Sequence, residues 1–315
     1  MSYEQLPQHA VEIERSAIEE SLKQRGYMKD PSGNWRDGSS AEESVQVAVD
    51  VTVSRYQGVA EMFTPFIGMP DPGKFEPMIK YLNAAMGTLS AGEQGEDPVY
   101  KLEVTANLEL QGMTTVGKAL QDWRGSAATA FRQNFVEPFP AITRNQFALV
   151  ATLKGAIDAE QALWKAARES VDDIAHKAQA ALDVMGDCNP KDQTALLTVA
   201  ASVFAVAAVV TTGGAAIALT VAGATAQAVG GIPREDPEKV EFSGKTPDAI
   251  ISQVQGALDK LVAQINTKER DVANAMSASS SFLAGNRAKF VSARPSLADA
   301  SAATITGPTG LGESL

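Results

Sequence analysis

The chain has 315 residues, of which 44% are hydrophobic and 21% charged, so it can bury a core as one elongated domain or two compact ones. A net charge of -11 and a pI near 4.8 argue against a nucleic-acid partner and against electrostatic recruitment to anionic lipid. One cysteine, Cys188, excludes an intrachain disulfide framework, and an aromatic share of only 6% favours close-packed, alanine-rich helices over sheets.

The first residues, MSYEQLPQHAVEIERS, are polar and charged, without a basic segment followed by an apolar one, so no Sec-type signal peptide is expected there. Leu6 to Arg25 reads as an amphipathic helix with Val11, Ile18 and Leu22 on one face. Gly26 to Ser39 reads as a turn-rich connector in which Trp35 is a packing anchor. Ser40 to Glu43 has the pattern of a capping box and announces a helix. The next residues fit two periods. Val45, Val47, Val49, Val51 and Val53 alternate as in a strand, while Val45, Ala48, Val49, Thr52, Tyr56, Val59 and Phe63 follow a helical frame that extends further. The longer frame predicts a helix.

Prolines 65, 70 and 72 break the following stretch, and a short helix is expected from Glu76 to Leu89 before a glycine- and acid-rich loop. Val99 to Trp123 steps by three and four through Leu102, Ala106, Leu110, Met113, Val116 and Leu120, which predicts a helix. A further helical run begins after Gly125, is jogged at Pro138 and Pro140, and continues from Ile142 to about Met185. Its apolar positions include Phe147, Val150, Leu153, Ile157, Leu163, Trp164, Val171, Ile174 and Leu182.

Gln193 to Pro233 contains no Asp, Glu, Lys, Arg or His. Two apolar halves flank Thr211-Thr212-Gly213-Gly214, a turn signal, and each half as a helix would be about 27 Å long. Leu196, Leu197, Val203, Phe204 and Val209 lie in the first half, and Ile217 in the second. Ala218, Ala222, Ala226 and Gly230 recur every four residues, a spacing that lets two helices approach closely. The expected element is an apolar helical hairpin, open to three readings. It packs in the bundle or against an oligomer partner, it inserts conditionally into a membrane, or it forms a two-span anchor. Its acidic flanks (Asp183, Asp187, Asp192; Glu235, Asp236, Glu238) do not favour the last.

A charged return loop, Arg234 to Thr246, leads to a long helix from Pro247 with Ile250, Ile251, Val254, Leu258, Leu261, Ile265, Val272 and Met276 in one seam. Residues from Arg294 onward have the composition of a flexible tail. The predicted fold is all-α, an elongated bundle of long antiparallel helices with an apolar hairpin at one tip. The expected organisation is an N-terminal helix and connector (1–40), a helical domain (41–190), the hairpin (191–233), a return helix (234–293) and the tail (294–315).

Catalytic chemistry finds little support. His9 and His176 are the two histidines, and on one helix His176 and Cys188 would stand about 18 Å apart, too far for a thiol–imidazole pair. Asp172 and Asp173 beside His176 read as an acidic helix surface. No metal or cofactor is expected. Gly112 to Lys118 matches the first seven places of a P-loop, but Ala119 stands where a magnesium-binding hydroxyl is needed. Gly244-Lys245-Thr246 has a P-loop's ending but Lys239 where the first glycine belongs.

Trp123-Arg124-Gly125 sits between two amphipathic segments, with the glycine allowing a turn and the tryptophan covering it. It continues with Ala127, Ala128, Ala130 and Phe131. This resembles the WXG-motif family of actinobacterial type VII secretion substrates in its larger, multi-helix form, over about Ala41 to Leu182. The resemblance implies an all-helical, secreted or secretion-associated protein that dimerises or assembles and has no enzymatic activity in this module. The family's export signal, Tyr-x-x-x-Asp/Glu, is missing, since none of the five tyrosines has an acid four residues on. In layout alone, a hairpin between two long helices is also similar to α-helical pore-forming toxins of the cytolysin A and haemolysin BL type.

The expected function is therefore assembly with itself or a protein partner, with the hairpin for membrane insertion or oligomer contact and with neither nucleic acid nor a small-molecule substrate. The expected location is outside the cytoplasm or at the cell envelope, by a Sec-independent route. A structural or chaperone-like secretion component without membrane action is the alternative, and a nucleotide-binding enzyme using Gly112 to Lys118 is the least favoured.

Overall fold

A computed structural model describes residues 2–38, 44–90, 104, 107–119, 125–185, 195–198, 205–211, 216–222, 239–242, 244–293 and 301. The protein is all-α. Its helices are α1 (Leu6–Gln24), α2 (Val45–Tyr56), α3 (Glu76–Leu89), α4 (Leu108–Ala119), α5 (Ser126–Phe131), α6 (Phe139–Met185) and α7 (Pro247–Gly285). Short strands accompany them: β1 (Tyr27–Lys29), β2 (Trp35–Asp37), β3 (Ala195–Thr198), β4 (Ala205–Thr211), β5 (Ala216–Ala222) and β6 (Lys239–Phe242). The chain divides into two units, one of Met1–Glu76, Asp158–Val206 and Val221–Val272, the other of Pro77–Ile157, Ala207–Thr220 and Ala273–Leu315. The second half of α6 and the first half of α7 belong to the first unit and their other halves to the second.

The first unit is built on one apolar cluster. Leu6, Ala10, Ile13 and Ala17 of α1 meet Leu163, Ala167, Val171, Ile174, Ala178 and Leu182 of α6 and Ile250, Val254, Leu258, Leu261 and Ile265 of α7. The alanines leave room for close helix approach, which is what the alanine-rich, aromatic-poor composition predicts. Val11, expected on the buried face of α1, is 61% exposed; the stripe that faces α6 and α7 is set by positions 6, 10, 13 and 17. Leu153 of α6 is likewise exposed.

α2 settles the conflict of periods. Ala48, Thr52 and Tyr56 are buried, while Val47, Val51 and Val53, three of the five valines in the strand-like alternation, are exposed. Helical spacing puts 48, 52 and 56 on one face, so one stripe of burial accounts for the segment. The chain then turns through a 3-10 segment (Ala60–Phe66) that inserts Phe63 and Phe66 into the core. Polar contacts tie this segment down. The Tyr3 hydroxyl donates to the Phe66 carbonyl and accepts from the Met69 amide, and Arg168 donates to the Met69 carbonyl at 2.7 Å while its guanidinium lies over the Tyr3 ring.

The expected connector Gly26 to Ser39 contains a hairpin, β1 paired antiparallel with β2 from Tyr27↔Asp37 to Lys29↔Trp35. Its turn is made by Asp30, whose carboxylate accepts from the Ser32 and Asn34 amides at 2.9 Å and from Arg36 at 2.8 Å. These bonds, the Asn34 amide foremost, hold the Asp30 carboxyl below its ordinary range. Three-residue strands are too short to show a period, which is why the pattern reads as connector. Trp35 packs at the edge of a small cluster of Leu22, Tyr27 and Ala48, as expected of an anchor.

α6 spans 47 residues and α7 39, close to the lengths read from their patterns. Within the first unit Glu160 of α6 accepts from the Trp164 indole at 3.0 Å. Burial raises its carboxyl above the ordinary carboxylate range and Glu269 adds to the shift, against the lowering effect of the Trp164 bond. A carboxyl raised in the fold stabilises most fully below its unfolded value, and that stability is lost as pH rises through the folded value. Glu160→Gln should therefore raise the thermal midpoint at neutral pH, with the difference vanishing near about pH 4. Equal midpoints at neutral pH would show that the carboxylate is not strained there.

In the second unit Met86 of α3 packs on Phe147 and Ala151 of α6. Asn145 and Gln146 donate to the carbonyls of Lys289 and Phe290 at 2.8 and 2.7 Å, fastening the start of α6 to the turn that follows α7.

Candidate functional site

Gly125 is the described member of the Trp-Arg-Gly motif; Trp123 lies outside the described residues. Gly125 stands directly before α5 with φ 107° and ψ 172°, and its carbonyl accepts from the Thr129 amide at 3.0 Å. That backbone region is essentially restricted to glycine. A Cβ built there would have nothing within 4 Å, so the demand for glycine is conformational and not a matter of crowding. Beyond α5 the helix widens into a π turn, Arg132–Val136, before Pro138. Phe131 and Phe135 stack at 5.3 Å and Phe135 approaches Phe139 at 6.2 Å. Phe131 and Phe135 are each 37% exposed. A cleft of about 500 Å³ opens beside the π turn, lined by Gln133, Asn134, Ile142, Arg287 and Val291 among others. Phe131, Phe135 and Phe139 stand four residues apart, a helical spacing that the sequence itself displays.

The P-loop-like stretch, Gly112 to Lys118, lies inside α4. Its amides are spent on helical hydrogen bonds, so the loop that wraps phosphates in a P-loop is not formed.

The apolar stretch departs from expectation. The described parts of Gln193 to Pro233 are strands and not helices. Leu196 and Leu197 are in β3, Val209 in β4, and Ile217, Ala218 and Ala222 in β5. Val203, Phe204, Gly213, Gly214, Ala226 and Gly230 lie outside the described residues. β4 pairs with β5, and β3 pairs antiparallel with β6 from Ala195↔Phe242 to Thr198↔Lys239. The strands are rich in Val, Ile and Thr (Val206, Val209, Val210, Thr211; Ile217, Thr220, Val221), whose branched Cβ suits the extended chain. The four-residue ladder of small side chains has meaning only at helical period, so Ala218 and Ala222 do not form a helix-contact face. The return loop, expected to be irregular, supplies β6. Among the described residues no helix is long and apolar enough to cross a membrane.

The fold also creates a cluster that no local pattern announces. α1 runs alongside α6 in the same direction: Tyr3 meets Arg168, His9 meets His176, and the Ser16 hydroxyl accepts from Gln179 at 2.8 Å. His9 is buried and its ring meets that of His176 edge to face at 4.9 Å. One ligand atom each from His9, Asp172 and His176 lie within 4.8 Å of one another. His176 Nδ1 is 2.7 Å from the Asp172 carbonyl, which can only accept, so Nδ1 carries a proton and, in the neutral ring, Nε2 is the nitrogen with the lone pair. Asp172 Oδ2 is 3.5 Å from the same nitrogen. His9 Nδ1 and Asp172 Oδ1 are buried without a hydrogen-bond partner. Read along the sequence, His176 has only Cys188 and its neighbouring aspartates to consider. Pairing it with His9 requires knowing that α1 lies on α6.

No protein-family model, no curated protein and no solved structure matches the chain.

Proposed function

We propose that this is a non-enzymatic, secretion-associated helical protein of the WXG type, exported by a Sec-independent route, that acts by assembling with itself or a protein partner. The observation that carries the reading is Gly125, a glycine-only backbone conformation at the end of a Trp-Arg-Gly motif that separates α4 from α5. The part-exposed Phe131 and Phe135 that follow the motif offer an apolar contact of the kind an assembling face needs. The paired strands of the uncharged 193–233 stretch offer a second, since a strand edge presents backbone groups to another chain.

Gly125→Ala should cost about 1–3 kcal/mol, the strain of placing a Cβ residue in that region. The same substitution should weaken assembly, read as sedimentation of the full chain over a range of concentrations. A monomer at every concentration, with and without detergent, overturns self-assembly and leaves only a protein partner for that role. Unchanged stability of Gly125→Ala removes the motif as its basis. Dye release from vesicles at neutral and acidic pH tests the lipid alternative, and leakage that depends on residues 194–231 would replace protein contact with membrane action.

A further inference from the structure

We propose that His9, Asp172 and His176 form a binding site for a divalent first-row transition ion, zinc being the representative, that pins α1 to α6. The donor set is two imidazoles and one carboxylate, a combination suited to zinc and its neighbours, with room for water or another ligand in the fourth place. The inference is independent of the assembly reading and draws on different residues.

Four observations carry it. The ligand atoms from two helices converge within 4.8 Å. Bonds of 2.0–2.1 Å in tetrahedral geometry require neighbouring ligand atoms about 3.3 Å apart, so small rotations of the side chains close the set around an ion. The Asp172 carbonyl holds the proton on His176 Nδ1 and leaves Nε2 as the free donor, the orienting arrangement that metal-bound histidines use. His9 is only 7% exposed, yet its Nδ1 has no partner; Asp172 Oδ1 is buried in the same state. Buried polar atoms are ordinarily paired, and two such atoms in one cluster call for an occupant. Finally, the cluster is reachable, since the His176 side chain is 33% exposed and the Asp172 side chain 20%.

The alternative is a plain helix-surface pair of Asp172 with His176, one turn apart. That pair explains neither the burial of His9 nor its unpartnered nitrogen. His9 stands beside the apolar stripe of α1, where a hydrophobic side chain would serve packing better.

The test is zinc titration of the tag-free full chain by calorimetry, with thermal unfolding followed in parallel. The expected result is one saturable zinc equivalent per chain and a midpoint that rises with zinc. His9→Gln, Asp172→Asn and His176→Gln should each weaken binding by at least about 10-fold, since even orienting residues around a metal contribute about 10–100-fold. Each should also abolish the zinc-dependent rise in midpoint. Cobalt bound in place of zinc should give the intense visible bands of tetrahedral coordination, and these should be lost in the same variants. His176 is part-exposed, so His176→Gln keeps the test meaningful if His9→Gln does not fold. No saturable binding in the parent chain, or undiminished affinity in any folded one of the three variants, overturns the site. The second outcome would assign zinc uptake to the chain's acidic surface.

Discussion

Phe63→Ala should lower the free energy of unfolding by about 3–5 kcal/mol, measured by urea titration. Phe63 has no exposed surface and sits in a 3-10 segment, where its ring reaches the core shared by α1, α6 and α7. The surrounding walls are helices fixed along their length, so the void left by the ring cannot collapse cheaply, and the lost transfer energy and the cavity both count. Ile67, four residues on, supplies the comparison. It is 47% exposed, and Ile67→Ala should change stability by no more than about 0.5 kcal/mol. Equal effects at the two positions would mean that the 3-10 segment does not insert into the core.

Val254→Asp should cost at least about 3 kcal/mol, a large part of the stability of an ordinary domain. Val254 is fully buried among Ile250, Leu258 and Leu261 of α7 and the facing side chains of α1 and α6. A carboxylate there loses its hydration and gains no charged partner from this apolar cluster, and the valine's own burial is lost with it. Val262→Asp tests the flank of that seam, about 80° around α7 from Val254. Val262 is 36% exposed, and its effect should stay near the surface level of about 0.5 kcal/mol. Equilibrium unfolding of the two variants side by side locates the seam of α7. Comparable losses would show that the helix is buried all round or not packed at all.

Most of the helical frame is legible in the residues because each long helix buries one stripe. Ile250, Val254, Leu258, Leu261 and Ile265 recur at three and four, and all five are buried. α3 runs from Glu76 to Leu89, the bounds read from the sequence. α2 shows that a longer helical frame outweighs a strict but shorter alternation. The valines at 47, 51 and 53 carry strand propensity, but burial of 48, 52 and 56 is what the helix offers in return. Misreadings cluster where periodicity has little to act on. The three-residue strands β1 and β2 show no period, and the uncharged stretch from 193 to 233 is apolar at every phase, so helix and strand look alike there.

The sequence by itself determined the all-α class, the positions of the long helices, the glycine-dependent turn at Gly125 and the absence of charge from 193 to 233. These follow from local chemistry: side-chain spacing, backbone permissiveness and hydropathy are properties of neighbouring residues. Tertiary structure alone decided which face of α1 is buried, that the start of the apolar stretch and the return segment after it meet as β3 and β6, and that His9 stands against Asp172 and His176. Those are contacts between segments far apart in the chain. They depend on which helix lies on which, and a pattern confined to one segment carries no record of its neighbour in space.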